Sequence, residues 1–332
     1  MRRWLIGIGL LLVAGVVAVL VTYWPRGDMS SSRPAEEQSS ASAPRFARSS
    51  FDPAALRDLQ AIEARVGGRL GVMLVAPDDR LILANRETER FPICSTFKLP
   101  LAVMILSDID AGTLALDRKL PFGDRRVVMN SPVIERMKRD GAADISVERA
   151  LAAMMTQSDN TAANLLLTLV GDNSGYSRRI EVAFGNDSIR MDRSEGVLNE
   201  DAARAEDTAT PDAMVAVLAR VFHETTLSME SRSKLTGWMA DARTGANRVR
   251  AGLPQGLRAG DKTGTCTRSY NSVGWIDAGD DRQPWLYAVY LDETDASEDL
   301  AEAALADTGR LFARIIGAAT PPTDVATREV AK

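Results

Sequence analysis

One histidine and two cysteines are all that this chain of 332 residues has of the side chains most used to bind transition metals. A structural zinc site normally takes four Cys or His ligands, and a catalytic one at least two histidines with a carboxylate. A metal hydrolase is therefore not expected, and no metal or other cofactor is called for. The same scarcity removes a Ser-His-Asp triad unless His223 is its base, and no G-x-S-x-G elbow accompanies it. His223 lies at the end of an apolar helical pattern, where a histidine at a helix C-terminus needs no catalytic role. Positive charge in excess is also missing. A formal net charge of −5 leaves no basic footprint, so no nucleic-acid partner is expected. Internal repeats are absent.

With 45% hydrophobic and 26% charged residues, the chain can bury one large or two small cores. Residues 4–24 carry no charge and follow Arg2 and Arg3, a pattern that spans a bilayer with its N-terminus in the cytoplasm. A signal peptide has the same charge pattern but a shorter core and a small-x-small cleavage site, and none follows Tyr23-Trp24-Pro25. Residues 1–24 therefore read as a signal peptide or an N-terminal membrane anchor, the anchor slightly favoured, and the rest as exported. Residues 25–50, rich in Ser, Pro, Ala and charge, read as a flexible linker.

Leu56, Leu59, Ile62 and Val66 make a helical stripe that ends at Gly67-Gly68. Arg69–Val75 and Arg80–Ala84 alternate around Pro77-Asp78-Asp79, which predicts a β-hairpin. Helical patterns dominate to about residue 241, with starts at Ser131-Pro132, Ser146 and Thr210-Pro211. Strand patterns return at Asp261–Thr265, Ser272–Ile276 and Trp285–Leu291, before a last amphipathic helix over Ser297–Ile316. The expected fold is α/β (α+β): an antiparallel sheet built from both chain ends, flanked by helices, with an inserted all-helical subdomain. The folded domain spans 51–318, and 319–332 reads as a loose tail.

Within that plan the stretch Phe91-Pro92-Ile93-Cys94-Ser95-Thr96-Phe97-Lys98 sets two polar residues into an apolar run. If a helix begins near Cys94, Ser95 and Lys98 share a face one turn apart. Ser95 then sits where free backbone N–H groups favour a developing anion. An amine held in an apolar cleft can take a serine's proton. Alone, S-x-x-K proves nothing, since average residue usage produces it roughly once in a chain of this length. Ser158-Asp159-Asn160, between apolar helices over Leu151–Thr156 and Ala162–Val170, is equally a capping turn. Lys262-Thr263-Gly264 is equally a solvent-facing strand edge. All three in this order have a chance probability on the order of one in a few hundred or less.

The order S-x-x-K, S-D-N, K-T-G is shared by class A β-lactamases and penicillin-binding proteins. From about Phe51 to Gly317 the chain resembles a class A serine β-lactamase. The run Ser158-Asp159-Asn160-Thr161-Ala162-Ala163-Asn164-Leu165-Leu166-Leu167 is characteristic of that family. So is Arg193-Ser194-Glu195-Gly196-Val197-Leu198-Asn199, similar to its Ω-loop, which transpeptidases lack. The resemblance implies hydrolysis of β-lactam antibiotics through a serine acyl-enzyme. Ser95 is implied as nucleophile, with the N–H groups of Ser95 and Thr265 holding the oxyanion. Lys98 is implied to help deprotonate Ser95, alone or with Glu195 acting through water. Ser158 relays a proton to the departing ring nitrogen beside the charge of Lys262. Asn160 bonds the substrate's side-chain amide, Glu195 activates the deacylating water, and Asn199 holds that water. The substrate carboxylate is implied to meet Lys262, Thr263 and Thr265, on the strand that includes Gly264, and Arg248. Tyr270 or Asn271 stands where other relatives carry that arginine on the following strand.

Three departures from the family stand out. Asn130 precedes Ser131-Pro132 where many relatives place a stacking aromatic. Gly196 follows Glu195 where many place a proline after a cis bond, and a cis bond to a non-proline residue costs about 2.5–4 kcal/mol. The stretch from Arg193 to Asp207, expected to close the Ω-loop as an ion pair, is one residue short. The last two bear on turnover rather than acylation. Cys94 beside the nucleophile, with Cys266 after Lys262-Thr263-Gly264-Thr265, resembles the disulfide-bearing class A carbapenemases; this implies a Cys94–Cys266 bridge and carbapenem hydrolysis. Export then means the periplasm, either released or attached to the inner membrane, and a monomer is expected. Two alternatives share the acylation chemistry: an anchored D,D-peptidase acting on cell-wall peptides, and a penicillin-binding sensor that stays acylated. Glu195 and Asn199 speak against the first. The second would need a signalling partner or a cytoplasmic domain, and only Met1–Arg3 precede the apolar run.

Overall fold

A computed structural model describes residues 46–48, 50–123, 125–184, 188–198, 206–224, 226–279 and 283–319. The expectations for residues 1–24, for 320–332 and for Asn199 lie outside the described residues.

Ala47–Arg48 (β1) pairs in parallel with the third strand, and Phe46 beside it is buried. This contact falls inside the stretch that reads as linker, because composition does not register a two-residue pairing. Asp52 accepts the N–H of Ala54 at 2.8 Å and Pro53 takes the first turn, so helix Pro53–Val66 (α1) starts there. Gly67, at φ +67°, ends it. Arg69–Val75 (β2) and Arg80–Asn85 (β3) form the predicted hairpin. After Phe91–Pro92 (β4), a 3₁₀ turn over Cys94–Phe97 leads into helix Lys98–Asp110 (α2). The α-helix thus begins at Lys98, and Ser95 sits in the tighter turn before it.

The middle of the chain holds Lys119–Pro121 (β5), Pro132–Arg139 (α3), Asp144–Ser146 (β6), Val147–Thr156 (α4), Asn160–Leu167 (α5) and Asp172–Phe184 (α6). Thr208–Ala209 (β7) precedes Pro211–Phe222 (α7) and Met229–Ala240 (α8). Ser146 and Thr210 accept first-turn N–H groups from Arg149 and Ala213, as their positions predict. Ser131 does not cap α3 with its side chain and bonds Thr161 instead. The chain closes with Arg258–Cys266 (β8), Ser269–Asp277 (β9), Trp285–Asp292 (β10) and Glu298–Ala319 (α9).

The six-stranded sheet runs β1-β3-β2-β10-β9-β8, antiparallel except at the β1 edge. Strands from both chain ends meet at β2–β10, where Val72 faces Val289. Both faces are covered, so alternation sorts residues between two cores rather than between core and water. On β10, Leu286, Ala288 and Tyr290 enter the core shared with the helical middle, while Trp285, Tyr287, Val289 and Leu291 enter the core under α1 and α9. The mixed fold with both chain ends in one sheet is the one expected.

Cys94 and Cys266 are joined, with Cα atoms 5.8 Å apart and a sequence separation of 172. The bridge ties the turn before α2 to the end of β8. Because it closes so long a loop, the chain-entropy argument gives a stabilisation of at most about 5 kcal/mol. Reduction should lower the urea midpoint of unfolding and steepen the slope, because the unfolded chain without its cross-link exposes more surface. Thiol titration should find no free thiol before reduction and both cysteines after it; two free thiols in the native protein would contradict the bridge.

Candidate active site

Four segments meet around one buried amine. Lys98, at the first turn of α2, is fully buried, and its Nζ lies 3.0 Å from Ser95 Oγ and 2.7 Å from Glu195 Oε1. It also lies 2.8 Å from the Ser158 carbonyl, 3.1 Å from Ser158 Oγ and 2.6 Å from Asn160 Oδ1. Five oxygens thus surround a group that has three protons when charged. Burial pushes the Lys98 pKa below its ordinary value, and the Glu195 carboxylate opposes that shift. Ser95 Oγ in turn donates to Glu195 Oε1 at 3.0 Å, so serine, lysine and glutamate form a closed triangle.

Ser158 stands between two amines. Lys262 Nζ, on β8, approaches Ser158 Oγ at 3.0 Å, as Lys98 does at 3.1 Å, and also donates to the Thr263 carbonyl at 2.8 Å. Burial, and after it the charge of Lys98, hold the Lys262 pKa well below its ordinary value. Ser158 is held at φ +54° by its neighbour Asp159. That carboxylate is fully buried and accepts the N–H groups of Ala162 (2.9 Å), Val133 (2.8 Å) and Ile134 (3.1 Å). It caps α5 and α3 together. The capping reading of Ser158-Asp159-Asn160 therefore holds for Asp159, while Ser158 and Asn160 on either side of it contact Lys98.

The segment around Glu195 is pinned at each end. Arg193 Nε lies 2.5 Å from Asp207 Oδ2, and Asp207 Oδ1 accepts the N–H groups of Asp192 (2.7 Å) and Arg193 (3.0 Å). Asn164, four residues after Asn160 on α5, accepts the Glu195 N–H at 3.1 Å and donates to the Glu195 carbonyl at 3.0 Å. Peptide bonds are trans throughout the described residues, including the bond after Glu195, and Gly196 takes φ +106°. A side chain there would be strained, so this backbone calls for glycine.

β8 forms the facing wall. A Cβ on Gly264 would sit 3.0 Å from Cys94 Cβ and 3.2 Å from the Ile93 carbonyl oxygen, so glycine is what lets this strand lie against the Ser95 turn. Thr265 is exposed at the strand edge, and Thr263 Oγ1 donates to Thr244 Oγ1 at 2.7 Å. Arg248 is buried. Its Nε lies 3.1 Å from Glu302 Oε1, its Nη1 donates to the carbonyls of Gly264 (2.8 Å) and Asn271 (3.0 Å), and its Nη2 donates to Thr265 Oγ1 at 2.7 Å. Of five N–H donors, one on Nη2 remains after these contacts. Asn271 turns its side chain toward Pro92, while Tyr270 lies 5.5 Å from the Arg248 guanidinium across its ring face. Asn130, exposed at the rim with φ +60°, accepts the Asn160 N–H through its carbonyl at 3.1 Å.

The structure thus gathers Ser95, Lys98, Ser158, Asn160, Glu195 and Lys262 into one contact network, with Gly264, Thr265 and Arg248 on the wall beside it. His223 takes no part in these contacts and bonds Asp79 at 2.7 Å. The sequence alone assigns no role to Asn164, Thr244 or Glu302. For Asn164 a signal existed, since Asn160 and Asn164 share a helix face.

The sequence profile described as the β-lactamase enzyme family matches residues 54–316. β-Lactamase L2 of Stenotrophomonas maltophilia is 36% identical over 267 residues, covering 79% of this chain and 86% of that protein. A β-lactamase structure from Burkholderia vietnamiensis superposes with a TM-score of 0.74 at 35% identity, covering 81% of this chain and 98% of its own. The class A β-lactamase of the last common ancestor of Gram-negative bacteria superposes with a TM-score of 0.73 at 39% identity, covering 79% of this chain and 99% of its own. This chain belongs to the β-lactamase enzyme family and is a class A serine β-lactamase, a hydrolase of β-lactams.

Proposed function

We propose that Ser95 is the nucleophile of a two-step hydrolysis in which the Lys98–Glu195 pair handles its proton. The observation that carries this is the triangle of Ser95 Oγ, Lys98 Nζ and Glu195 Oε1, with sides of 3.0, 2.7 and 3.0 Å. In acylation, Ser95 Oγ bonds to the lactam carbonyl carbon while its proton passes to the pair, and the N–H groups of Ser95 and Thr265 take the oxyanion. As the carbon–nitrogen bond breaks, Ser158 gives its proton to the ring nitrogen and is refilled from the amines on either side of it. The substrate carboxylate sits by Lys262, Thr263, Thr265 and the remaining Nη2 donor of Arg248. Asn160, whose Oδ1 already binds Lys98, offers its amide to the substrate's side chain across the rim formed by Asn130.

Deacylation follows from what acylation removes. Once esterified, Ser95 Oγ has no proton and its hydrogen bond to Glu195 dissolves. The carboxylate is then available to accept a proton from water, which Asn199 is proposed to help hold. The Arg193–Asp207 pair and Asn164 keep Glu195 at that station. For the finer substrate class, the Cys94–Cys266 bridge beside both oxyanion donors supports carbapenem hydrolysis, because a fixed turn keeps the acyl carbonyl aligned with that water. Residues 1–24 support export to the periplasm, either released or anchored; for the folded part, no helix among the described residues is long and apolar enough to cross a membrane.

Three measurements test this reading. Ser95→Ala should lose both penicillin labelling and hydrolysis, and an adduct on that variant by intact-protein mass spectrometry would refute the nucleophile. Glu195→Ala should slow deacylation by about 10²–10⁴-fold while acylation changes far less, so a penicillin adduct accumulates; a variant that clears its acyl group at the parent's rate would place the base elsewhere. The parent should turn over imipenem in steady state, and stoichiometric acylation without turnover would remove the carbapenem assignment.

A further inference from the structure

The turn that carries Ser95 is held from three directions. Its Ile93 N–H donates to the Asp207 carbonyl at 2.8 Å, at the base of the Glu195 segment. Cys94 is bridged to Cys266 on β8. From the sheet, the fully buried Asn271 on β9 donates its Nδ2 hydrogen to the Pro92 carbonyl at 2.9 Å, with the Ile93 carbonyl at 3.4 Å. Asn271 stands opposite Gly264 across the β8–β9 ladder, and its own carbonyl accepts from Arg248. A Cβ on Gly264 would lie 3.0 Å from Cys94 Cβ and 3.2 Å from Asn271 Nδ2, so the bridge and the amide pack around the same point.

The other end of that amide gives the choice of residue its meaning. Asn271 Oδ1 is buried without a hydrogen-bond partner among the described residues. A buried amide oxygen left unpaired opposes folding. An apolar side chain would be the more stable occupant if position 271 only had to fill space. What asparagine adds is the donor aimed at Pro92.

We infer that Asn271 is a positioning residue which, through the Pro92 carbonyl, holds the Ser95 N–H in register with the Thr265 N–H, in parallel with the Cys94–Cys266 bridge. Two ties in parallel share one load. With either present the turn keeps its place against β8; with neither, the oxyanion donors separate and acylation suffers. The inference rests on Ser95 being the nucleophile, which Ser95→Ala tests on its own.

The experiment is a double-mutant cycle on the full chain: the parent, Asn271→Ala, the paired change Cys94→Ala with Cys266→Ala, and all three together. Single-turnover acylation by a chromogenic cephalosporin, its half-saturating concentration and the melting temperature are read for each. Each tie removed singly should slow acylation about tenfold or less, and removing both should slow it by well over the product of the separate losses, about 10³-fold. The half-saturating concentration should move little. A combined loss equal to or below that product overturns the inference, as does a loss of melting temperature with acylation unchanged. Asn271→Leu, which fills a similar space and has no hydrogen to donate, repeats the cycle if the alanine variant does not fold. An adduct mapped to a residue other than Ser95 in the parent would instead overturn the nucleophile.

Discussion

Burying the amine of Lys98 is the constraint on which the site depends. A charged ammonium removed from water is unfavourable unless oxygens replace its hydration, and the requirement tightens as surroundings become apolar. No single segment of this chain can supply those oxygens. They come from the turn before α2, the loop between α4 and α5, and the segment that carries Glu195, so the three must converge wherever Lys98 points. The same burial brings the amine toward neutrality, with Glu195 restraining the shift. A group in that balance can both accept and return a proton. The chemistry is a consequence of how the buried charge is accommodated.

The supporting residues divide the work in a regular way. In Ser158-Asp159-Asn160 the outer residues touch Lys98 while the middle one disappears into two helix N-termini. Asp159 accepts three backbone hydrogens that would otherwise lie unpaired at the starts of α3 and α5, a service that stabilises the fold and at the same time sets Ser158 at a positive φ. Asn164 treats Glu195 similarly, gripping its backbone from both sides and leaving the carboxylate to face Ser95.

Much of this was legible in the residues. The hairpin at Arg69–Asn85, the late strands and the last helix follow from periodicities of two and 3.6, because each element buries a defined face. The three short motifs were visible because their residue types recur in one order, and the structure brings Ser95, Lys98, Ser158, Asn160 and Lys262 into contact. The illegible parts are those whose partners lie far off in sequence. Asn271 reads as an absence, a missing arginine, and only the fold reveals its contact with Pro92, 179 residues away. Glu302 lies on a helix whose pattern speaks of its apolar face, and nothing in that pattern announces an ion pair with Arg248. Ser131-Pro132 does begin a helix, yet the serine hydroxyl is spent on Thr161 because Asp159 already caps that helix.

The pair of lysines around Ser158 sets a direction for the proton. Lys98 and Lys262 approach the same hydroxyl at 3.1 and 3.0 Å, both fully buried, and each charge depresses ionisation of a neighbour in so dry a place. Their affinities for protons differ, because Glu195 lies 2.7 Å from Lys98, while for Lys262 burial and the charge of Lys98 outweigh the carboxylates of Asp261 and Glu195. In the proposed acylation, once Ser95 gives up its proton, the Lys98–Glu195 pair becomes the richer side of Ser158. A lactam nitrogen whose bond to carbon is breaking becomes strongly basic on the other side. The hydroxyl between them can then donate to that nitrogen and accept from an amine in one motion. The roles proposed for Ser95 and Ser158 thus fit together: a hydroxyl between unequal amines would turn proton abstraction at Ser95 into proton delivery at the leaving group.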